Sequence, residues 1–475
     1  VYICKDGPQT HTPRFTYHCF RYVLVQGVTE AQATPALLTY LVMHSGVATH
    51  GALHTSDETV NALQAMAVRS TISNLHYFPT DCPHREKNGW TGDAVISCEQ
   101  MLLNFDARRT YAEWLRNIRK AQAESGMLPG IIPTGGWGFA WGNGPAWDAV
   151  IVLLPYYIHR YTGDWSVLRD NAPAIWRYLR YMDTKRDAQG LLAYGLGDWV
   201  SVNRPPDDPK CPLVVTDTLI CLDMARKAAA IFSLLDSQPE QAYAMRLAAE
   251  IERDARARLI DPQTRTALGR CQTAQAMALA HGLFTPEEEP DAYAMLLELI
   301  HEQDDHMDIG FLGMRVIFDL LFDHGDGELA YRMITRRDFP SYGAWVERGA
   351  TTLREIFHAD ESGKVGSLNH HCWGDVSRVF YERLLGLRVN PRLVSPNELE
   401  LRPFFPAAME RAEGYHILPA GRASVAWHRE GDDVVYTLDL PAGATGTLHA
   451  PAGYAFADGD ASRLAMSGET RFRKR

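Results

Sequence analysis

No two cysteines of this chain stand in a CxxC pair. The eight of them, Cys4, Cys19, Cys82, Cys98, Cys211, Cys221, Cys271 and Cys372, are scattered along its length. That speaks against a zinc ribbon or a disulfide-dense scaffold and for reduced, mostly buried thiols. No GxGxxG follows a convincing strand, and there is neither a Walker lysine motif nor a GxSxG elbow. Nucleotide-dependent and serine-hydrolase chemistry therefore find little support. Positive charge is in deficit, with 47 Lys and Arg against 58 Asp and Glu and a net charge of −11. Such a surface repels phosphate backbones, so nucleic acid is not an expected partner. No apolar run reaches the length of a membrane span, and no membrane partner is expected. No basic-then-apolar leader opens the chain, and a cytoplasmic location is expected. The first residue is Val1 and the opening residues read as mid-domain strand, so an excerpt of a longer protein is expected as well.

Zinc chemistry of the metalloprotease kind is also missing. His301-Glu302-Gln303-Asp304-Asp305-His306 places its histidines five apart, whereas HExxH needs four to put both imidazoles on one helical face. In Asn369-His370-His371-Cys372, neighbouring residues rarely point at one ligand position, so His370 is assigned a hydrogen-bonding role. We expect no cofactor and no metal.

What is present falls into three textures. Residues 1–52 look β-like, above all Phe15-Thr16-Tyr17-His18-Cys19-Phe20-Arg21-Tyr22-Val23-Leu24-Val25 with Gly27 behind it. At Thr55 and Glu58 the spacing is that of a capping box, and helical periodicity follows. From there to about residue 390 helical patterns dominate, among them 107–124, 145–161, 165–184, 214–236, 239–259, 287–302 and 372–386. Many helices of similar length joined as hairpins suggest an α/α barrel, and no fixed-length repeat signals a solenoid. Residues 391–475 turn β-like again. Ala423–His428 and Val434–Leu440 read as a hairpin across Gly431, with Thr445–Ala450 as a third strand. The expected fold is mainly α: a barrel over 53–390 with β-sandwich segments on either side.

Chemistry concentrates in three places. Asp81-Cys82-Pro83-His84-Arg85-Glu86-Lys87-Asn88-Gly89-Trp90-Thr91-Gly92-Asp93 packs three acids, an arginine and a tryptophan among Pro and Gly breaks. It is either a polar loop or a site held on a rigid scaffold. Tyr342–Glu355 carries Glu347 and Glu355, the latter after a Gly-Ala-Thr-Thr run suited to starting a helix. Trp137, Trp141 and Trp147 sit among glycines with Asp148 beside Trp147, and Gly197-Asp198-Trp199 repeats the pairing of acid and tryptophan. A ring beside a carboxylate suits a sugar, which offers C–H faces to stack and hydroxyl edges to bond. Each segment alone also reads as packing or solvated surface.

Taken together the segments resemble glycoside hydrolase family 78, the α-L-rhamnosidases. Asp81-Cys82-Pro83-His84-Arg85-Glu86 with Gly89-Trp90-Thr91-Gly92-Asp93 looks like that family's most specific motif. Ala146-Trp147-Asp148, Gly197-Asp198-Trp199, Gly349-Ala350-Thr351-Thr352 with Glu355, and Asn369-His370 with Gly374 follow in the family's order. The resemblance implies an (α/α)6 barrel between β-sandwich domains and an inverting, exo-acting hydrolase of rhamnosides. It makes Glu86 similar to the general acid and Glu355 to the general base. It places Asp81, Arg85, Trp90, Asp93, Trp147, Asp148, Trp199 and His370 around the terminal sugar. The implied partner is a rhamnose-containing glycoside or oligosaccharide, and a homo-oligomer is compatible with it. Two departures bear on the sugar: Arg354, followed by Ile356-Phe357-His358, stands where an aromatic is common, and His371 where a tyrosine is frequent. The alternatives are an exo-glycosidase for another sugar on the same barrel, or a sugar-binding protein whose catalytic apparatus has decayed.

Overall fold

The computed structural model describes residues 3, 5–202, 204–205, 208–357 and 366–475; Cys4 and His358 lie outside them. The helices are α1 (Glu58–Ser73), α2 (Thr91–Asn104), α3 (Arg108–Ala121), α4 (Pro145–Asp148), α5 (Val150–Thr162), α6 (Trp165–Asp183), α7 (Leu213–Leu234), α8 (Gln238–Leu259), α9 (Gln272–Ala280), α10 (Glu289–His301), α11 (Phe311–Asp323), α12 (Gly327–Thr335) and α13 (Tyr342–Glu347). A compound helical stretch, Cys372–Leu384, passes from a 3₁₀ turn through an α turn into a π turn.

Sequence separates the helices into two rings. In α3 the buried residues are Tyr111, Trp114, Leu115 and Ile118, one stripe at helical spacing, while Arg109 and Arg116 are exposed. Such a helix has one partner face and sits outside. Every residue of α2 is buried, so α2 must be enclosed. The inner helices close a ring: α2 packs on α5, α5 on α7, α7 on α9, α9 on α11, α11 on the stretch at 372–384, and that stretch on α2. Helices α1, α3, α6, α8, α10 and α12 alternate with them along the chain. Six inner and six outer helices make the (α/α)6 barrel.

The barrel's interior carries ion pairs. Glu99 of α2 accepts from Arg160 of α5 at 2.8 Å and Arg315 of α11 at 2.6 Å. Burial alone would raise its carboxyl, but Arg315 and Arg160 hold it at about 2. Asp375 pairs with Arg315 and Arg378. Such a network ties three inner helices and the 372–384 stretch in one arrangement, and removing one member would strand a buried charge.

Two sheets follow the barrel. The strands are β1 (Gly51–Thr55), β2 (Leu75–His76), β3 (Phe78–Pro79), β4 (Leu387–Val389), β5 (Glu398–Leu401), β6 (Arg411–Leu418), β7 (Gly421–Glu430), β8 (Asp433–Asp439), β9 (Thr445–His449), β10 (Tyr454–Ala455), β11 (Ser462–Leu464) and β12 (Gly468–Lys474). One sheet runs β1-β6-β7-β8-β12-β10 and a second β11-β9-β5-β4, while β2 and β3 pair with each other beside α1. The hairpin β7–β8 closes over Gly431 and Asp432, with Glu430 opposite Asp433. The sandwich is pinned to the barrel by the Trp427 indole donating to Leu384 O at 2.7 Å and the Tyr436 hydroxyl to Leu385 O at 2.8 Å.

Several expectations need correcting. Phe15–Val25 forms no strand: a β-prone sequence needs a neighbouring strand to take its backbone groups, and among the described residues no strand pairs with it. β1 is an edge strand of the C-terminal sheet, with Gly51 opposite His416 and Thr55 opposite Ala412. The boundary drawn between residues 52 and 53 therefore falls inside one strand. Thr55 lies in that strand, so α1 is capped by Asp57, whose side chain accepts from Thr59 N and Val60 N. The helix read over 145–161 divides at Ala149 into α4 and α5.

Candidate active site

The N-terminal ends of α2 and α11 meet with His370 at one mouth of the barrel, and a cavity opens there. It has a volume of about 130 Å³ and is lined by Asp81, Glu86, Trp90, Asp93, Trp137, Trp141, Trp147, Leu196, Trp199, Phe311, Glu355 and His370. Eight of the ten residues named from the sequence as acid, base or sugar ligands, together with both aromatics Trp137 and Trp141, thus converge from distant parts of the chain.

The loop carrying Asp81 and Glu86 closes on itself. Asp81 N donates to Asn88 O at 2.9 Å, and Asn88 N returns to Asp81 Oδ1 at 2.7 Å. Lys87 makes the turn at φ 55. The sequence suggested a loop through Asp93, but α2 already begins at Thr91, and Asp93 sits in its first turn, where the helix dipole favours a carboxylate. Asp81 is buried, and that burial pushes its carboxyl up to about 7, with Asp93 and Glu86 adding to the rise and His370 opposing it.

Glu86 is exposed, and its Oε2 accepts the Trp90 indole N–H at 2.8 Å. Glu355 reaches the same cavity from the segment after α13. Its Oε2 accepts from Ser367 N at 2.6 Å and Arg85 Nη1 at 3.2 Å. Arg85 therefore pairs with Glu355 and is absent from the cavity lining. The pair is partly exposed, so it orients the carboxylate more than it stabilises the fold. The expected helix at Glu355 is not formed. Leu353 N donates to the Ser70 hydroxyl, Glu355 N to Ser367 O, and His370 N to Leu353 O, so tertiary partners take the bonds a helix would use.

The aromatics form a belt from floor to rim. Trp147 and Trp199 have ring centroids 6.4 Å apart, Trp199 and Trp141 6.1 Å, Trp141 and Trp90 5.5 Å, and Trp137 lies 5.8 Å from Trp141 and 6.0 Å from Trp90. Exposure rises along it, from 2% at Trp147 and 8% at Trp90 to 44% at Trp141 and 47% at Trp137. Two glycines allow this packing. A Cβ on Gly92 would lie 2.5 Å from Trp147 Cε2, and one on Gly142, at φ 83, would lie 2.4 Å from Trp90 Cζ3.

His370 is buried in the floor, with Nε2 bonded to Asp93 Oδ1 at 2.5 Å. Burial opposes its charge, but Cys372 and Asp93 carry it well above the ordinary histidine range. His371 does not line the cavity. It bonds Ser97 Oγ at 2.7 Å and Thr80 O at 2.9 Å, clamping α2 to the loop, and burial brings it down to about 4. Arg354 is buried and also absent from the lining.

Asp148, expected to touch the sugar, is fully buried and off the cavity. Its Oδ2 accepts from the Tyr178 hydroxyl at 3.0 Å, and burial pushes it up to about 8. Its place in α4 points it away from the side of Trp147 that lines the cavity. Asp198 likewise supports the site from behind. It accepts from Gly310 N, Leu312 N and Gly313 N, capping α11, and from the Thr273 hydroxyl at 2.6 Å. This capping holds Phe311 at the cavity wall. Phe311 and Leu196 were not anticipated, since an apolar residue gives no sign of facing a cavity.

The expectation of no metal meets an unanticipated geometry. Asp93, His370 and Cys372, and separately Asp81, Cys82 and His370, bring ligand atoms within 4.8 Å of one another in buried surroundings. The described cysteines are all free thiols, buried except Cys19, which is half-buried. His301 and His306 instead pair with Asp305 and Asp338 on the surface. No described helix is long and apolar enough to cross a membrane.

Residues 48–384 match the family model described as the bacterial alpha-L-rhamnosidase 6 hairpin glycosidase domain, and residues 397–457 the bacterial alpha-L-rhamnosidase C-terminal domain. An α-L-rhamnosidase of Formosa agariphila is 26% identical over 94% of this chain and 49% of its own length. The α-L-rhamnosidase of Streptomyces avermitilis, solved in complex with L-rhamnose, superposes with a TM-score of 0.82 at 25% identity, over 90% of this chain and 42% of that one. That of Dictyoglumus thermophilum gives 0.84 at 26%, over 90% and 50%. The chain spans about half the length of these relatives.

Proposed function

This chain belongs to the bacterial α-L-rhamnosidases of glycoside hydrolase family 78, and from that premise we propose that it is an inverting, exo-acting hydrolase that removes terminal α-L-rhamnose from glycosides. One observation carries the reading: Glu86 and Glu355, distant in sequence, line the same cavity together with an aromatic belt and the buried polar groups Asp81, Asp93 and His370.

In an inverting mechanism one carboxylic acid protonates the leaving oxygen while a carboxylate opposite activates water, the two standing about 6.5–9.5 Å apart to admit it. Glu86 is the acid. With its Oε2 engaged by the Trp90 indole, Oε1 carries the proton to the glycosidic oxygen. Glu355 is the base. Its Oε2 is held by Ser367 N and Arg85, leaving Oε1 to take a proton from water as the oxygen attacks the anomeric carbon. The glycosidic bond breaks, the leaving group departs as the alcohol, and the sugar is released with inverted configuration. The burial gradient orients the substrate. The closed end, with Trp147, Asp93 and His370, takes the terminal ring, and the open end at Trp137 and Trp141 takes the rest, which supports exo action.

The test is hydrolysis of 4-nitrophenyl α-L-rhamnoside followed by NMR of the first sugar released. β-L-Rhamnose as the first product supports the mechanism, and α-L-rhamnose overturns it. A panel of other nitrophenyl glycosides addresses the second reading, another sugar on the same barrel. Binding of rhamnose with no turnover would favour a decayed, sugar-binding protein.

A further inference from the structure

We propose that Asp93, His370 and Cys372 form a binding site for a soft divalent cation, zinc in particular, in the floor of the cavity, and that an occupied site shuts the sugar out. The three offer a carboxylate oxygen, an imidazole nitrogen and a thiolate sulfur, all within 4.8 Å of one another and all buried. This donor set suits zinc. Tetrahedral bonds of about 2.0–2.3 Å put neighbouring ligand atoms about 3.5 Å apart, so closing the site needs shifts on the order of 1 Å. Three protein ligands leave a fourth position, and Asp93 and His370 both line the cavity, so that position opens toward it.

His370 faces Asp93 through Nε2, so Nε2 is the imidazole nitrogen that would meet the ion. The neighbouring set around Cys82 differs. There Asp81 Oδ1 is taken by Asn88 N and Oδ2 by the Cys82 thiol, each at 2.7 Å. Asp81 thus has both carboxylate oxygens engaged, whereas Asp93 is bonded to His370 through Oδ1 alone, so Cys372 is the thiol assigned. Binding converts the Cys372 thiol to thiolate and displaces the proton lying between His370 and Asp93, so protons leave as the metal enters. The sequence reading set this possibility aside because His370 and Cys372 are near neighbours in the chain. The tight turn at Cys372–Asp375 brings their side chains together.

Metal binding stands apart from the hydrolase reading, and exclusion of sugar rests on it. The experiment uses the full chain freed of metal by chelator and dialysis. Zinc is titrated by calorimetry and cobalt(II) by absorbance, which reports thiolate-to-metal charge transfer. We expect one ion per chain with a thiolate band, an affinity at least about tenfold weaker in Cys372→Ser and Cys372→Ala, and no such loss in Cys82→Ser. Circular dichroism of each variant checks folding. Absence of binding or of a thiolate band in the parent protein overturns the proposal, as does parent-like affinity in a folded Cys372 variant or loss confined to Cys82→Ser. Added L-rhamnose should weaken zinc binding, and zinc should inhibit 4-nitrophenyl α-L-rhamnoside hydrolysis reversibly in the parent but not in Cys372→Ser. If zinc binds through Cys372 while L-rhamnose fails to compete, the exclusion step falls and the metal site remains. Failure to hydrolyse any rhamnoside, with zinc still bound, defeats the hydrolase reading alone.

Discussion

Asp148→Asn separates a sugar ligand from a buried structural acid. Asp148 has no exposed surface. Its Oδ2 accepts the Tyr178 hydroxyl, its Oδ1 has no partner, and burial pushes its carboxyl from an ordinary 3.8 up to about 8. The folded state therefore keeps a proton that the unfolded chain gives up. Between those two values each pH unit lowers the stability of the folded state by up to about 1.4 kcal/mol. Below the lower value both states are protonated, and above the higher one both are ionised, so the slope vanishes. Asparagine resembles the protonated acid: its oxygen accepts from Tyr178, and its amide occupies the unpartnered place. The variant therefore loses the slope with little change in shape. From about pH 5 to about pH 7 the variant should gain about 2–3 kcal/mol on the parent. Asp217 is raised chiefly by burial and further by Asp148; the contribution of its burial is present in both proteins and cancels in the difference. Urea unfolding at a series of pH values gives the quantity directly, and KM for a rhamnoside should be unchanged. Parallel stability curves would refute the buried-proton argument, and a KM raised about tenfold would restore Asp148 as a sugar ligand.

Three further outcomes are expected. Glu86→Gln should lower kcat/KM on methyl α-L-rhamnoside by about 10²–10⁴-fold, and far less on 4-nitrophenyl α-L-rhamnoside, whose phenolate leaves without a proton; equal losses on both substrates would remove Glu86 as the acid. Gly142→Ala puts a methyl against Trp90 at a positive φ, so denaturant unfolding should show a loss of about 1–3 kcal/mol, and kcat should fall because Glu86 loses its indole donor. Asp198→Ala strands the first amides of α11 and the Thr273 hydroxyl; it should cost about 2–4 kcal/mol by urea midpoint, with partial recovery in Asp198→Asn, and an unchanged midpoint would show that water replaces the cap.

The helices were legible wherever a residue pattern had a physical partner. The stripe of Tyr111, Trp114, Leu115 and Ile118 could bury only one face, and the β7–β8 hairpin announced itself by alternation around Gly431. Phe15–Val25 misled because strand propensity says nothing of whether a neighbouring strand exists. Glu355 seemed to start a helix because the local run suited one, but Ser70 and Ser367, remote in sequence, take its neighbourhood's backbone bonds. Asp148 and Trp199 both stand beside an aromatic or acidic neighbour, and adjacency could not distinguish the one facing the cavity from the one facing away.

The sequence by itself determined helical periodicity and acids set beside tryptophans, and its resemblance to family 78 singled out Glu86 and Glu355. Tertiary structure alone decided which atoms meet. Only closure of the inner ring brings the ends of α2 and α11 and the 370–372 turn to one mouth, and so sets Arg85 against Glu355 and Cys372 beside His370 and Asp93. Side-chain direction at such a mouth depends on contacts from distant segments, and local residue preference contains no information about them.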